Sequence, residues 1–433
     1  MTVQDLFITP IYLLILTGLA YIIRPFVTNS RTRKYFIPAL VARFFGAIML
    51  GVIYQFYYGG GDTFNYFNQS KWIYTAFLEQ PMTGIALLLD HGGQHAGETF
   101  QYSQHIWFYR DPHSYMIVKI AGFFNLFTFS TYSSTALLFS MASFGGLWGM
   151  FSVLTRKYPE HLFGLSIAIL FVPSVVFWGS GILKDTITIG ALGLLTYSLI
   201  NIIEFREKNP VNWIIAVVAM LVIYSIKIYI IICFVPLVFV WLYLKGIKAS
   251  KNMAVKVLIA PILFVIFAGA GYFALNQISS ESTKYSLDNI AEQAAINAYD
   301  IRYGWGARTG GDGGYDLGQL DGSWASMIRL MPQAINVSLF RPYLWEVKNP
   351  VMLLAALESI LTIFFTVKVF LLNRRFAQLM GDPFLVFCFA FSLIFAFAVG
   401  VSTFNFGTLM RYKIPLMPFY FTVLFILNKR EKS

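Results

Sequence analysis

Long apolar runs recur along the whole chain, and they constrain its fold more than any other feature. A helix needs about 17–25 apolar residues to cross a hydrocarbon layer roughly 30 Å thick. Because backbone polar groups in lipid must be paired within the segment, each crossing run is predicted to be helical. Only 12% of the 433 residues are charged and the mean hydropathy is +0.64, which leaves too little polar surface for a soluble body. The sequence therefore predicts an all-α polytopic membrane protein.

The apolar runs predict about 11–13 transmembrane helices in a single integral membrane domain, residues 1–433. The candidate spans lie near residues 9–27, 36–57, 116–131, 133–154, 161–178, 186–204, 211–227, 229–245, 255–275, 350–372, 384–405 and 412–428. Two long polar segments separate them. Residues 58–114 are predicted to form a first extracytoplasmic loop with interfacial helices, and residues 276–349 a second one.

Short basic loops predict the orientation, because Lys and Arg stay on the cytoplasmic side. Such loops lie at residues 31–34, 156–157, 206–208, 245–256 and 374–375, and the carboxyl terminus is expected to be cytoplasmic as well. The connections near residues 179–185, 227 and 405–410 would then share the face of the long loops. The interval from Lys34 to Arg156 holds three candidate spans. Either segment 116–131 or the first span is re-entrant, or one basic loop lies on the other side.

The net charge of +11 does not indicate nucleic-acid binding. The cytoplasmic loops and the anionic lipid headgroups beside them account for much of the excess. The two cysteines, Cys233 and Cys388, lie inside apolar spans and match neither a disulfide framework nor a metal motif. Membrane lipids are therefore the expected general partner, and no nucleic acid is expected.

The stretch YGGGDTFNYF follows the second apolar run and carries Asp62 directly after three glycines. Glycines permit a sharp turn or the close approach of a ligand, and the aromatic residues that follow are typical of an interfacial helix. Asp62 is either an ordinary helix cap or a functional carboxylate.

Residues 110–113, RDPH, open the next apolar segment. Arg110 and His113 suit a phosphate at a membrane surface, whereas a salt bridge between Arg110 and Asp111 is the structural alternative. Four histidines lie in this region, and a metal site is a weaker hypothesis because their spacing matches no strong motif. They are His91, His95, His105 and His113.

Two further polar groups stand at the ends of apolar spans, where polar residues are costly and often functional. Lys184 and Asp185 follow a Gly-Ser-Gly turn beside Trp178. Arg411 and Tyr412 open the last span ahead of two prolines, so that Arg411 would either face an anion or snorkel to lipid headgroups. Most of these ionisable residues are predicted to gather at one face of the membrane. Lys119 and Lys227 are exceptions to this grouping, since they lie within or between apolar spans. Residues 308–318, RTGGDGGYDLG, are typical of a flexible loop that closes over a substrate.

In chain order these pieces resemble the membrane-embedded C-type glycosyltransferases, the GT-C superfamily, and in particular protein O-mannosyltransferases and aminoarabinose transferases. The resemblance rests on four stretches: GGDTFNYF with Asp62, DPHSYMIVKI with Pro112 and His113, PSVVFWGSGILKDTI with Asp185, and RYKIPLMP with Arg411. The Gly-x-Asp and late Arg-Tyr features also resemble exopolysaccharide polymerases.

The resemblance implies a transferase of the bacterial cytoplasmic membrane that moves a sugar from a polyprenyl-phosphate-linked donor to a hydroxyl of a glycan, lipid or protein acceptor. Asp62 would act as general base, and Asp185 would orient Lys184 or the acceptor. Arg110, Lys184 and Arg411 would bind the phosphate together with Asp111, His113 and Tyr412, and Tyr66 and Trp178 would stack on sugar faces. No cofactor is implied, and a divalent metal stays open.

Two alternatives accompany this hypothesis. A polysaccharide polymerase would use lipid-linked repeat units as both donor and acceptor. A lipid or glycan transporter would instead place interrupted helices and ionisable residues near the middle of the bilayer, and a structural membrane subunit would use the outer loops for docking.

Overall fold

The structure is a computed structural model that describes residues 1–95, 97–249, 287–304 and 313–428. Over these ranges the chain is all-α, with one isolated bridge between Gly314 and Asn405 and no longer strand. It divides into two compact units, Met1–Ile228 and Tyr229–Ser433.

The first unit begins with two long helices and continues through a set of shorter ones. Its main helices are α1 (Val3–Val27), α2 (Arg33–Phe56), α3 (Asp62–Glu79), α4 (Pro81–Leu89), α5 (Phe100–Ser103), α6 (Pro112–Thr128), α7 (Tyr132–Lys157), α8 (Leu162–Leu170), α9 (Pro173–Trp178) and α10 (Lys184–Ile203). Helix α11 (Pro210–Ala249) begins in this unit and is interrupted at Lys227, where φ is −145° and ψ is 76°.

Seven helices in the described residues are long and apolar enough to cross a membrane. They are α1, α2, α7, α10, α11, Pro350–Leu372 and Pro383–Thr403. An eighth span results if Phe406–Tyr412 and Met417–Asn428, which meet at 69°, count as one. The all-α polytopic class predicted from the sequence is therefore confirmed.

Several predicted spans take a different form, which explains the smaller number. Most of segment 116–131 lies in α6, which has 17 residues and ends at Thr128. Segment 161–178 is divided between α8 and α9, because the helix stops ahead of Pro173. Segments 211–227 and 229–245 form the single interrupted helix α11. Segment 255–275 lies outside the described residues, and the total of 11–13 stays a prediction.

Helices α7 and α10 form a close parallel pair, and positions along this pair serve to compare the levels of the other elements in the first unit. Facing residues keep a near-constant offset: Gly190 with Ser143, Gly193 with Gly146, Tyr197 with Gly149, and Glu204 with Lys157. A Cβ at Gly146 would overlap the carbonyl oxygen of Gly190, so the backbones touch. The same offset places the start of α10 about five residues, or roughly 8 Å, from the start of α7 along the helix axis.

The basic loops of the first unit gather at one end, which we call the basic end. Arg156 and Lys157 form ion pairs there with Glu207 and Glu204. The carbonyl of Val27 accepts a hydrogen bond from the indole of Trp148, late in α7. The start of α7 lies at the opposite end, where Tyr132 contacts Gly51 and Thr63. The predicted grouping of these basic loops on one side thus matches the helix packing.

Helix α6 does not run the length of the unit. Asp111, ahead of its first residue, pairs with Lys184 at the start of α10. At its other end, the hydroxyl of Thr128 hydrogen-bonds that of Thr135, in the first turn of α7. Both ends of α6 therefore meet α7 and α10 near the same level, away from the basic end. Of the alternatives that the odd number of spans left open, this packing favours a segment 116–131 that does not cross.

The second unit contains the helices Leu287–Tyr303, Trp324–Arg329, Met331–Phe340, Pro350–Thr366, Phe376–Gly381, Pro383–Thr403, Phe406–Tyr412 and Met417–Asn428. The later half of α11 packs on Pro383–Thr403 through aromatic rings, including Phe234 against Phe391 and Trp241 against Phe384. Within the predicted loop 308–318, residues 308–312 lie outside the described ranges. The Tyr315 hydroxyl donates to the carbonyl of Gly400, so the later half of this loop docks on the helix Pro383–Thr403.

Candidate functional site

Two helix starts and one helix interruption bring together five residues in the first unit, which we call the charged cluster: Asp111, His113, Lys184, Asp185 and Lys227. Asp111 stands at the start of α6, Lys184 and Asp185 at the start of α10, and Lys227 at the break in α11. Lys227 Nζ lies 2.5 Å from Asp185 Oδ1, and Lys184 Nζ lies 3.6 Å from Asp111 Oδ2. His113 Nδ1 donates to the carbonyl of Ser225 at 3.0 Å. Four of these residues were predicted site residues, and the structure brings them together.

Asp111 has a local reason to stand at the start of α6. Its carboxylate accepts from the backbone NH of His113 at 3.1 Å and from the hydroxyl of Ser114 at 2.5 Å, and Pro112 takes the first helical position. Partial burial raises the pKa of Asp111, but Lys184 and the bonds from Ser114 outweigh it, so that the pKa lies below its usual value. The group is therefore ionised at neutral pH and holds Lys184 by charge. The structure supports this pair rather than the alternative Arg110–Asp111 bridge, and Arg110 is exposed.

Asp185 and Lys227 form a buried ion pair, with side chains 0% and 4% exposed. An isolated charge in such a place is very costly, whereas an opposite charge at contact distance offsets much of the penalty. The break in α11 frees carbonyls of its preceding turn, and His113 satisfies one of them at Ser225. Asp185 has no exposed surface and is paired with Lys227, and its predicted role in orienting Lys184 or the acceptor stays a prediction.

Both lysines of the charged cluster are paired with carboxylates, so any attraction for an anion comes from the helix amino termini and from the exposed Arg110 nearby. The amino termini of α6 and α10 both lie here, and the helix dipole gives each end partial positive charge. Asp111 caps α6, whereas no side chain caps α10. The side chain of Lys184 is 18% exposed and that of Asp111 is 50% exposed, so a ligand can reach this pair of the cluster. Arg110 adds an exposed guanidinium one residue ahead of Asp111.

Asp62 is the first residue of α3, directly after Gly61 at the N-cap position. The three glycines have φ values of 70°, 136° and 129°, which confirms the sharp turn predicted from them. A Cβ at Gly61 would lie 2.7 Å from the ring of Tyr54, and that ring meets the edge of Trp178. Tyr54 thus connects the start of α3 with the segment that leads to Lys184.

Tyr66 and Trp178 do not have the role that the resemblance implied. They are 4% and 5% exposed, and Tyr66 packs on Phe108 with ring centroids 4.7 Å apart. A sugar stacks on an exposed ring face, and both of these rings are covered by protein. We therefore assign them to packing around α3 and α9.

The four neighbouring histidines do not come together in one cluster. His95 stacks on Tyr109 and hydrogen-bonds Ser103, His105 stacks on Trp72, and His113 bonds to Ser225. In the described part of the chain, no three His, Cys, Asp or Glu side chains lie close enough together to hold a metal ion.

Arg411 and Tyr412 lie in the second unit, at the end of the helix Phe406–Tyr412. Arg411 is 9% exposed, and its guanidinium lies 5.5 Å from the ring centre of Tyr412. Lys413, at the bend that follows, is also buried, and it interacts electrostatically with Glu358. The helices on either side of this bend meet at 69°. A shared site with residues of the first unit stays a prediction.

Arg43 is the polar residue that the sequence reasoning missed. It lies in the middle of α2, fully buried, and its guanidinium donates to the carbonyls of Val175 and Gly179 and to the hydroxyl of Ser143. An ionisable residue within an apolar span is by itself a signal of function, and that signal was present at position 43. Lys227 carried the same signal.

The fold and this site define a multi-pass, all-α membrane protein whose first unit gathers charged side chains at two helix starts and one helix interruption. No protein-family model, curated protein or solved structure matches the chain.

Proposed function

We propose that the protein is a membrane glycosyltransferase that moves a sugar from a polyprenyl-phosphate-linked donor to an acceptor hydroxyl on the extracytoplasmic face of a bacterial cytoplasmic membrane. The observation that carries the proposal is the charged cluster, where the partly exposed Lys184 stands at the amino terminus of α10, which no side chain caps, and Arg110 is exposed next to Asp111. Cations fixed before the reaction stabilise the negative charge that develops on a leaving phosphate.

In this mechanism Lys184, Arg110 and His113 bind the donor phosphate. Asp62, half-buried at the start of α3, accepts the proton of the acceptor hydroxyl as the oxygen attacks the anomeric carbon. The bond from that carbon to the phosphate oxygen breaks, and the phosphate leaves with the electron pair. The lipid tail of the donor stays in the bilayer beside the apolar helices.

The test measures transfer of radiolabelled sugar from native lipid extract by the purified protein in lipid vesicles. General-base help is worth about 10²–10⁴-fold, so Asp62→Asn should reduce transfer by about 100-fold or more. Lys184→Gln should reduce it by about tenfold or more, since a phosphate contact is lost. Lys157→Gln is the matched control: its side chain is 16% exposed and also forms an ion pair, but at the basic end. Equal transfer by all three variants would reject the proposal.

A transporter of lipid-linked glycans is the second candidate, and the break in α11 favours it. Interrupted helices with ionisable residues are common in transporter sites, and the buried pair Asp185–Lys227 lies at such a break. Vesicles with lipid-linked sugar in one leaflet separate the two functions. A transferase makes a new glycosidic bond and leaves the unreacted donor in its leaflet. Movement of the donor to the other leaflet without a covalent product would favour the transporter.

A further inference from the structure

We infer that Arg43 is a positioning residue of the anion site: it holds the turn that presents Lys184, although it lies on another helix in the middle of the first unit. This inference rests on the proposed function for its ligand, a polyprenyl phosphate. It assigns Arg43 no contact with the substrate.

The hydrogen bonds of Arg43 tie α2 to the end of α9. One guanidinium nitrogen lies 2.6 Å from the carbonyl oxygen of Val175, and the other donates to the carbonyl of Gly179 and the hydroxyl of Ser143. Planar guanidinium groups bridge several acceptors at fixed angles, which a lysine ammonium does not do. Arg43 therefore fixes α9 against both α2 and α7.

The turn between α9 and α10 continues this hydrogen-bond chain toward the site. The Ser180 hydroxyl donates to the carbonyl of Val176, and the Thr186 hydroxyl donates to the carbonyl of Gly181 at 2.6 Å. A Cβ at Gly181 would lie 2.7 Å from Leu50, so the turn also rests on α2. Lys184 follows this turn directly. The position and direction of the Lys184 side chain therefore depend on a segment that Arg43 holds in place.

The cost of this arrangement argues for a purpose beyond packing. Arg43 is 1% exposed, and the groups that hydrogen-bond it in the described structure are neutral carbonyl and hydroxyl oxygens. A guanidinium buried without a carboxylate contact costs more than an apolar side chain of similar size. Such a residue is expected where the protein requires a particular backbone geometry or positive potential, and here the geometry leads to Lys184.

Gly46 offers a second way to disturb the contact between α2 and α9 without changing Arg43. It lies one turn after Arg43 on α2, and a Cβ there would overlap the carbonyl oxygen of Val176. Gly46→Ala should therefore push α9 away while Arg43 stays intact. Gly18→Ala in α1 is the matched control, because no atom lies within 4 Å of a Cβ at that position.

The experiment measures the dissociation constant of polyprenyl monophosphate for the full-length protein in lipid nanodiscs, using only variants whose folded fraction equals that of the wild type. We expect Arg43→Gln to raise Kd by about tenfold, Arg43→Lys to raise it by less, and Gly46→Ala to raise it without any change of charge. Gly18→Ala should leave Kd unchanged. Wild-type affinity in folded Arg43→Gln would overturn the inference.

A double variant separates positioning from general loosening. If Arg43 acts through Lys184, Arg43→Gln/Lys184→Gln should bind no more weakly than Lys184→Gln alone, because the interaction is already lost. Additive losses would overturn the inference, since they would mean that Arg43 contributes independently of Lys184. The binding assay does not depend on turnover. A wild type that binds polyprenyl phosphate but transfers no sugar would reject the proposed function and leave the role of Arg43 to be judged by these variants.

Discussion

At the scale of single residues, the buried pair Asp185–Lys227 couples two helices through one contact. Removing one partner of a buried ion pair leaves the other charge uncompensated, at a cost of about 3–5 kcal/mol, whereas replacing both is far less costly. We predict that Asp185→Asn and Lys227→Met are each strongly destabilising and that the double variant recovers much of the loss. The free energy of unfolding in detergent micelles, measured as a double-mutant cycle, checks this. Additive losses would mean that the two charges do not depend on one another.

A matched pair on the surface shows the contrast. Arg156 and Glu207 also form an ion pair, but the side chains are 53% and 34% exposed. Exposed pairs contribute about 0–1 kcal/mol. Arg156→Gln should therefore change the free energy of unfolding far less than Lys227→Met, and a comparable loss would contradict the explanation from burial.

At the scale of helices, the contact between α7 and α10 depends on glycine. A Cβ at Gly146 would meet the backbone of α10, whereas one at Gly145 would meet no atom within 4 Å. We predict that Gly146→Ala destabilises by about 1–3 kcal/mol through overpacking. Gly145→Ala should be neutral or stabilise by up to about 1 kcal/mol, because alanine is the better helix former. Thermal unfolding of the two variants in the same micelles checks both signs, and equal effects would show that helix propensity rather than close packing dominates.

The same helix scale separates what the sequence could predict from what it could not. Apolar length located α1, α2, α7 and α10, and the glycines before Asp62 identified the turn. Two of the three partners of Arg43 are backbone carbonyls more than a hundred positions away, and carbonyls leave no pattern in a sequence. The burial of Asp185 was hidden for a related reason: the sequence placed its partner Lys227 at a connection between two apolar spans without indicating its partner, and only the contact between α10 and α11 reveals the pair.

At the scale of the whole molecule, the packing of the first unit reconciles the odd number of candidate spans with the basic loops. Segment 116–131 is apolar enough to suggest a span, but α6 has polar partners along its length. Asn125 donates to the hydroxyl of Ser70 in α3, and Lys119 donates to the carbonyl of Asp90. These bonds hold α6 beside the polar segment 58–114. Crossing from Lys34 to Arg156 then takes two helices, α2 and α7, which returns the chain to the basic end.

This topology predicts the side from which introduced cysteines react with a membrane-impermeant maleimide in intact cells. Gln104 and Phe129 flank α6 and are both exposed, and cysteines at the two positions should label from the same side because α6 does not cross. A cysteine at the exposed Arg31, in the basic end, should label only after the membrane is opened. Both native cysteines, Cys233 and Cys388, are buried and should give little background. Opposite labelling of positions 104 and 129 would mean that α6 crosses the membrane, and the charged cluster would then need a different location relative to the bilayer.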